Sequence, residues 1–284
     1  MRFSGTITLQ YDTPFAPYRA REYGQALKWL TDSGFDGAEV CISSYEDVDV
    51  RKVRKDLDER GLGCSTISTG QSRLLEGISL LHTGGELKKA QERMKQHIDA
   101  AVILGSKVTL GLLRGLGEPG KEEEQKQTLA RNLEPVITYA QDRRVTIILE
   151  AINRYETSLF NSADDAMSFV EKELANAGCM GILWDIFHAN IEDARFDEAI
   201  ERMGRRLCHV HVADSNRMFP GYGHIDFERI VEKLGNAGFQ EYMSFECMNL
   251  PTVESVRREA GLFVRKMRGV AQGGLNNKEK EKDL

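Results

Sequence analysis

Short apolar runs alternate with amphipathic segments along most of the chain, and this alternation predicts eight strands that are each followed by a helix. The strand-like runs are mostly solidly apolar, which is typical of strands buried on both faces of a parallel sheet. The predicted strands span residues 2–9, 38–42, 63–69, 107–113, 145–150, 181–185, 207–213 and 242–247. The predicted helices span residues 18–33, 47–60, 86–104, 121–141, 163–177, 193–203, 226–235 and 252–268, with a loop over 70–85.

Eight strand–helix units within about 270 residues are typical of an α/β fold of the (β/α)8 barrel type. A doubly wound sheet is the structural alternative, but it usually carries a G-x-G-x-x-G motif after its first strand, and none follows the first strand here. We therefore predict a single TIM barrel catalytic domain over residues 1–270. The segment 271–284 is polar and highly charged, which predicts a disordered tail.

Composition narrows the range of functions. The net charge of −6, from 38 basic and 44 acidic residues, argues against a sequence-independent nucleic-acid binder, which needs a basic surface. No apolar run approaches the roughly 18 residues of a membrane span, so we expect no membrane partner. The five cysteines form no C-x-x-C pair and lie in or beside apolar runs. They are expected to be reduced, buried thiols of a cytoplasmic protein.

Polar side chains occur where four consecutive predicted strands end, namely Glu150, Asp185, His211 and Glu246. Because the carboxyl ends of barrel strands meet at one face, we expect these side chains to converge there. Three carboxylates so close together would repel one another unless a cation lay among them. Oxygen-rich ligation with one imidazole suits a divalent ion, with Mn²⁺ preferred, Mg²⁺ and Co²⁺ also suitable, and Zn²⁺ left open.

Other polar residues near these strand ends have more than one interpretation. His209 shares a strand face with His211 and is predicted to be a buried, hydrogen-bonded core residue one layer down. His188 follows Asp185 by three residues and could be a further ligand, a substrate contact or a helix cap. Arg114, at the end of the fourth predicted strand, could contact an anion, although solvated arginines are commoner.

With these residues assembled, the chain resembles the xylose isomerase-like barrel superfamily and, within it, the D-tagatose 3-epimerase group. The resemblance covers the second half of the barrel, whereas the first half is similar only in outline. One departure is Ala151, where many family members have proline. The motifs that carry the resemblance are LEAINRYET at 149–157, WDIFH at 184–188, HVHVADSNR at 209–217, PGYGHIDF at 220–227 and SFE at 244–246.

The resemblance implies a metal-dependent epimerase that inverts carbon 3 of a ketose through an enediolate. It implies that Glu150, Asp185, His211 and Glu246 bind one divalent ion, and that Glu150 and Glu246 also transfer the protons. It further implies that the substrate's oxygens are contacted by Glu156, His188 and Arg217. A homodimer or homotetramer is the expected assembly.

Several alternatives stay open from the sequence. An epimerase of a keto-acid sugar, of the ketogluconate type, could use Arg114 or another loop arginine for the carboxylate. An aldose–ketose isomerase of the hydroxypyruvate isomerase type could use the same two glutamates. A DNA-repair enzyme of the endonuclease IV type would need a three-zinc cluster with histidines at earlier strand ends, and none follows the third or fourth strand. A non-catalytic sugar-binding module would not need glutamates on both sides of its ligand.

Overall fold

The computed structural model describes the backbone of residues 1–282 and the side chains of residues 1–272. Eight parallel strands close into a barrel, in which each strand pairs with the next along the chain and β1 pairs with β8. This confirms the predicted (β/α)8 fold. The strands are β1 (Arg2–Thr8), β2 (Gly37–Cys41), β3 (Gly63–Ser68), β4 (Lys107–Leu110), β5 (Ile147–Glu150), β6 (Met180–Asp185), β7 (Leu207–Val212) and β8 (Tyr242–Phe245).

Helices surround the barrel and cover the outer face of its strands. Several begin at a side chain that accepts from a backbone amide, as Asp49 and Ser162 do, which satisfies one of the free N–H groups of the first turn. The helices are α1 (Tyr23–Asp32), α2 (Val50–Asp58), α3 (Gly70–Glu76), α4 (Gly84–Leu104), α5 (Glu122–Arg143), α6 (Ala163–Lys172), α7 (Ile186–Glu192), α8 (Phe196–Met203), α9 (Phe227–Asn236) and α10 (Val253–Lys282).

Two short helices depart from the sequence prediction. Helix α3 occupies part of the segment 70–85 that was predicted to be a loop, and α7 follows β6 directly where a loop was expected. Each has only seven residues, which is too short for an apolar stripe to repeat along one face. The fourth strand also ends earlier than predicted, at Leu110, and the residues Leu112–Arg114 form a 3-10 turn.

Most buried apolar side chains form one hydrophobic core between the strands and the surrounding helices, whereas polar side chains such as Glu39 and His209 are buried inside the barrel. The largest fully buried side chains of the core include Trp184, Phe3 and Phe160. Within residues 1–282, no helix combines the length and apolarity needed to cross a bilayer. The backbone of α10 continues through residue 282, into the segment 271–284 whose disorder is predicted from the sequence. The side chains of residues 273–284 lie outside the described part of the chain, and the disorder stays a prediction.

Candidate metal-binding and active site

The structure brings four predicted ligands together at the carboxyl ends of β5 to β8. We call Glu150, Asp185, His211 and Glu246 the strand-end cluster. One ligand atom from each lies within 4.8 Å of the corresponding atoms of the others. Nδ1 of His211 is central, at 3.4 Å from Glu150 Oε1, 3.4 Å from Glu246 Oε2 and 3.7 Å from Asp185 Oδ2.

Local structure explains how the carboxylates reach this point. Glu150 and Asp185 are the last residues of β5 and β6, and Glu246 immediately follows β8. Asp185 also begins α7, because its Oδ1 accepts from the backbone N–H groups of Phe187 at 2.7 Å and His188 at 3.2 Å. That contact fixes the carboxylate and leaves its second oxygen directed at the cluster.

Gly111, just after β4, provides the space for the Glu150 carboxylate. A Cβ atom at residue 111 would lie 2.6 Å from Glu150 Oε2, well inside ordinary contact distance. The φ of Gly111 is −90°, so the glycine is required here for the close approach and not for a left-handed backbone. The Glu150 carboxylate therefore depends on a neighbouring strand for its position.

Two buried polar atoms of the strand-end cluster lack conventional partners. Asp185 Oδ2 and His211 Nδ1 are inaccessible to solvent, and neither has a hydrogen-bond partner among the residues whose side chains are described. Buried polar atoms are normally satisfied, so such an exception needs an explanation, for example an ion. A lone pair on an imidazole nitrogen and three carboxylates form a donor set that fits one divalent cation.

Burial and neighbouring charges together shift the pKa values of the side chains in the cluster. Burial acts to raise the pKa of Asp185, but the neighbouring His188 and His211 hold it below its ordinary value. Burial acts to lower the pKa of His211, but the charges of Glu39 and Glu246 raise it well above its ordinary value. For Glu246, burial raises the pKa above its ordinary value, although His211 opposes the shift. The carboxylates and the imidazole thus shift one another's pKa values, as groups that compete for one positive charge do.

The three predicted substrate contacts border the strand-end cluster, and Glu156 lies next to the other two, with its Oε1 3.9 Å from His188 Nδ1. Arg217 Nη1 donates to Glu156 Oε1 at 2.8 Å, and its Nη2 lies 3.5 Å from Glu246 Oε2. Asn153 Nδ2 donates to Nδ1 of His188 at 2.7 Å, which leaves the ring hydrogen on Nε2. The Nε2 atom lies 3.7 Å from Asp185 Oδ2, so this N–H donor faces the site.

Arg217 has the left-handed backbone conformation, with φ of +60°, which is uncommon for a residue with a side chain. Its loop is held by hydrogen bonds, since its backbone N–H donates to Asp214 O at 2.7 Å and its carbonyl accepts from Met248 N–H at 2.8 Å. The guanidinium also lies over the rings of Phe15 and Phe187, at 4.8 and 5.0 Å from the ring centroids. Residues that tolerate such backbone strain are often found at functional sites.

The sequence interpretation missed Glu39 on β2. This carboxylate is fully buried inside the barrel, and it contacts Nε2 of both His209 and His211. Burial acts to raise its pKa, but the charge of His211 and the hydrogen bonds from both histidines hold the pKa well below its ordinary value. An acid inside the apolar strand AEVCI was the available signal, because a charge so placed needs a buried partner. His209 is buried and hydrogen-bonded, as predicted.

Arg114 is not where either sequence interpretation expected it. It is neither solvated nor exposed to a ligand, since it is fully buried and donates to the carbonyl oxygens of Gly111 at 3.0 Å and Leu159 at 2.9 Å. Burial lowers its pKa to about 10. Arg114 therefore ties the segments after β4 and β5 together, and the suggestion that it contacts an anion is wrong.

Comparisons with known proteins agree with this architecture. The residue pattern that defines the xylose isomerase-like TIM barrel family matches residues 27–267. L-ribulose 3-epimerase of Mesorhizobium japonicum is 29% identical over 240 residues, which cover 82% of this chain and 78% of that protein. Ketose 3-epimerase of Arthrobacter globiformis is 27% identical over 225 residues, covering 78% and 76%. A solved L-ribulose 3-epimerase has a TM-score of 0.78 at 25% identity, covering 100% of this chain and 97% of that chain.

Proposed function

This chain belongs to the xylose isomerase-like TIM barrel family, and from that membership we propose that it is a divalent-metal-dependent sugar epimerase that inverts carbon 3 of a ketose. The observation that carries the proposal is the strand-end cluster, in which two glutamates from non-adjacent strands each bring a carboxylate oxygen to 3.4 Å from His211 Nδ1. Similar proteins that are named L-ribulose 3-epimerase and ketose 3-epimerase support the same class of isomerase.

The donor set of the cluster fits a resident divalent ion. Glu150, Asp185, His211 and Glu246 would hold it, since two of their buried polar atoms have no other described partner. Mn²⁺ is our first choice because oxygen-rich ligation with one imidazole suits it, with Mg²⁺, Co²⁺ or Zn²⁺ as alternatives. When bound, such an ion acts as a Lewis acid toward the sugar carbonyl.

The neighbouring side chains orient the substrate. His188 presents its Nε2–H toward the cluster, because Asn153 occupies the other ring nitrogen, and this donor can bind a sugar oxygen. Arg217 adds a fixed positive charge beside Glu246, where it can stabilise negative charge as it grows on the substrate. Glu156 accepts from both Arg217 and Asn153, so it fixes the positions of these two side chains relative to each other. Its carboxylate can also accept from a substrate hydroxyl.

Two glutamates can then move protons on opposite faces of a ligand. Glu150 comes from β5 and Glu246 follows β8, so they approach the barrel mouth from different sides. One carboxylate removes the proton from carbon 3, and the other returns a proton to the opposite face, which inverts that carbon. General acid–base catalysis of this kind contributes about 10²–10⁴-fold to the rate.

The competing activities differ in what they require from the site. An aldose–ketose isomerase would use the same glutamates to move a proton between neighbouring carbons, so its product distinguishes it. A keto-acid epimerase needs a cation for the carboxylate, and the burial of Arg114 removes one sequence candidate for that cation. Together with the similar proteins named L-ribulose 3-epimerase and ketose 3-epimerase, this makes a free ketose the substrate class that we favour.

The experiment is a screen of free ketoses and keto-acid sugars in deuterium oxide with added Mn²⁺. We expect deuterium at carbon 3 together with inversion of that carbon. The variant Glu246→Gln should reduce turnover at least about 10²-fold, and Glu134→Gln, an exposed glutamate on α5, serves as the matched control. Label at carbon 1 would instead identify an isomerase. Undiminished turnover by Glu246→Gln would contradict the proposal.

A further inference from the structure

Beneath the strand-end cluster, a buried carboxylate inside the barrel connects two strands that are not neighbours. Glu39 lies on β2, and the histidines that it contacts lie on β7, which is not a neighbouring strand. Its Oε2 is 3.2 Å from Nε2 of His209, and both of its oxygens are 3.2 Å from Nε2 of His211. All three side chains are fully buried, so water does not replace these contacts.

The hydrogen bonds to Glu39 determine which nitrogen of His211 faces the cluster. An ionised carboxylate can only accept, so the Nε2 atoms of both histidines must carry the hydrogen. In neutral His211 the lone pair is then on Nδ1. This is the atom that lies 3.4 Å from Glu150 Oε1 and Glu246 Oε2 and has no hydrogen-bond partner in the described part of the chain.

We propose that Glu39 is a positioning residue that holds His211 in the tautomer able to ligate a divalent ion through Nδ1, with His209 holding Glu39 in turn. The inference rests on the proposed function, because it takes His211 as a ligand. The ring is fixed at one nitrogen by a full negative charge, which also makes the other nitrogen a stronger donor to a metal. Partners of this kind typically change metal affinity by 10–100-fold.

A different use of the same residues is a second metal site, since Glu39, His209 and His211 also place ligand atoms within 4.8 Å of one another. The hydrogen-bond distances favour the positioning role. Both Nε2 atoms already contact the carboxylate at 3.2 Å, and an ion there would have to remove the hydrogens from both rings. The number of ions bound per chain distinguishes the positioning role of Glu39 from a second metal site.

The test is titration of the full chain with Mn²⁺ by calorimetry, together with the absorption spectrum of the Co²⁺-loaded protein. Glu39→Gln keeps the size of the side chain and removes its charge. We expect it to weaken Mn²⁺ binding by about 10–100-fold and to shift the Co²⁺ bands, which a loss of stability alone would not do. Glu241→Gln is the matched control, because Glu241 is also ion-paired and partly buried but precedes β8, at the opposite end of the barrel.

The outcomes are separable. Wild-type affinity and an unchanged Co²⁺ spectrum in Glu39→Gln would overturn the positioning role while leaving the proposed function intact. Binding of two ions per chain, with one lost in Glu39→Gln, would overturn it in favour of a second metal site. A wild-type chain that binds no Mn²⁺ would contradict both the proposed function and this inference. His209→Gln provides a second variant, and we expect its effect to be in the same direction and smaller.

Discussion

The close approach of β4 to Glu150 gives a sharp prediction for Gly111→Ala. The added Cβ would lie 2.6 Å from Glu150 Oε2, about 0.8 Å short of the 3.4 Å at which ordinary contact begins. The Gly111 backbone is held by the turn after β4, where its carbonyl accepts from Arg114 Nη1 at 3.0 Å. We therefore expect the Glu150 carboxylate to move more than the backbone does. That movement displaces it within the cluster that we propose holds the ion.

A misplacement of about 1 Å at a reacting group can reduce the rate by about 10²-fold, so we expect Gly111→Ala to lower kcat/KM by about 10–100-fold. Mn²⁺ affinity should fall as well, because Glu150 is a proposed ligand. The assays are initial rates with the best ketose from the deuterium screen and calorimetric titration with Mn²⁺. Circular dichroism and thermal unfolding establish that the variant is folded.

Gly235→Ala is the matched control, since it adds the same methyl group in α9 with nothing within 4 Å of the new atom. It should retain activity and gain up to about 1 kcal/mol in unfolding free energy, because alanine favours helices over glycine. If Gly111→Ala kept wild-type kcat/KM and metal affinity, then the position of Glu150 would not matter to the chemistry. The assignment of that residue would then be refuted.

Two further predictions concern stability. Burial lowers the pKa of His97 to about 3. As the pH falls below about 6.5, His97 therefore becomes protonated in the unfolded chain but stays neutral in the folded chain. Stability should therefore fall as pH decreases between those values, by up to about 1.4 kcal/mol per pH unit. The free energy of unfolding of His97→Gln, measured with urea at several pH values, should depend less steeply on pH than that of the wild type. An equal pH dependence would contradict this. Separately, Mn²⁺ at a hundredfold excess over its Kd should stabilise the wild type by about 2.7 kcal/mol but not Asp185→Asn, as measured by thermal unfolding. Equal responses of the two proteins would count against the cluster as the binding site.

The sequence was sufficient to predict the barrel and the convergence of the strand-end cluster. Both depend on a repeating pattern, since parallel strands in a closed barrel place all their carboxyl ends at one face. Glu150 and Asp185 could be located because each ends an apolar run. Their roles as ligands and proton carriers stay proposals.

Other features depend on contacts between distant segments. The hydrogen bond between Glu39 and His211 crosses the barrel interior. It forms only when the strands between β2 and β7 pair in the correct register, and no local sequence pattern contains that information. Arg114 was misjudged because the carbonyl oxygens that accept from it, those of Gly111 and Leu159, become partners only once the two loops are folded together. The short helix α7 was missed because its seven residues are too few for a repeating apolar stripe, and its cap by Asp185 is not part of such a pattern.

The most direct test of the central claim is an anomalous difference map, collected at the manganese absorption edge, from crystals of the protein soaked in Mn²⁺. We predict a single peak per chain, bounded by Glu150, Asp185, His211 and Glu246, with His211 contributing Nδ1. A peak on the other side of that ring, between Glu39 and His209, would contradict the proposed centre. So would the absence of any peak at a concentration of Mn²⁺ that supports turnover.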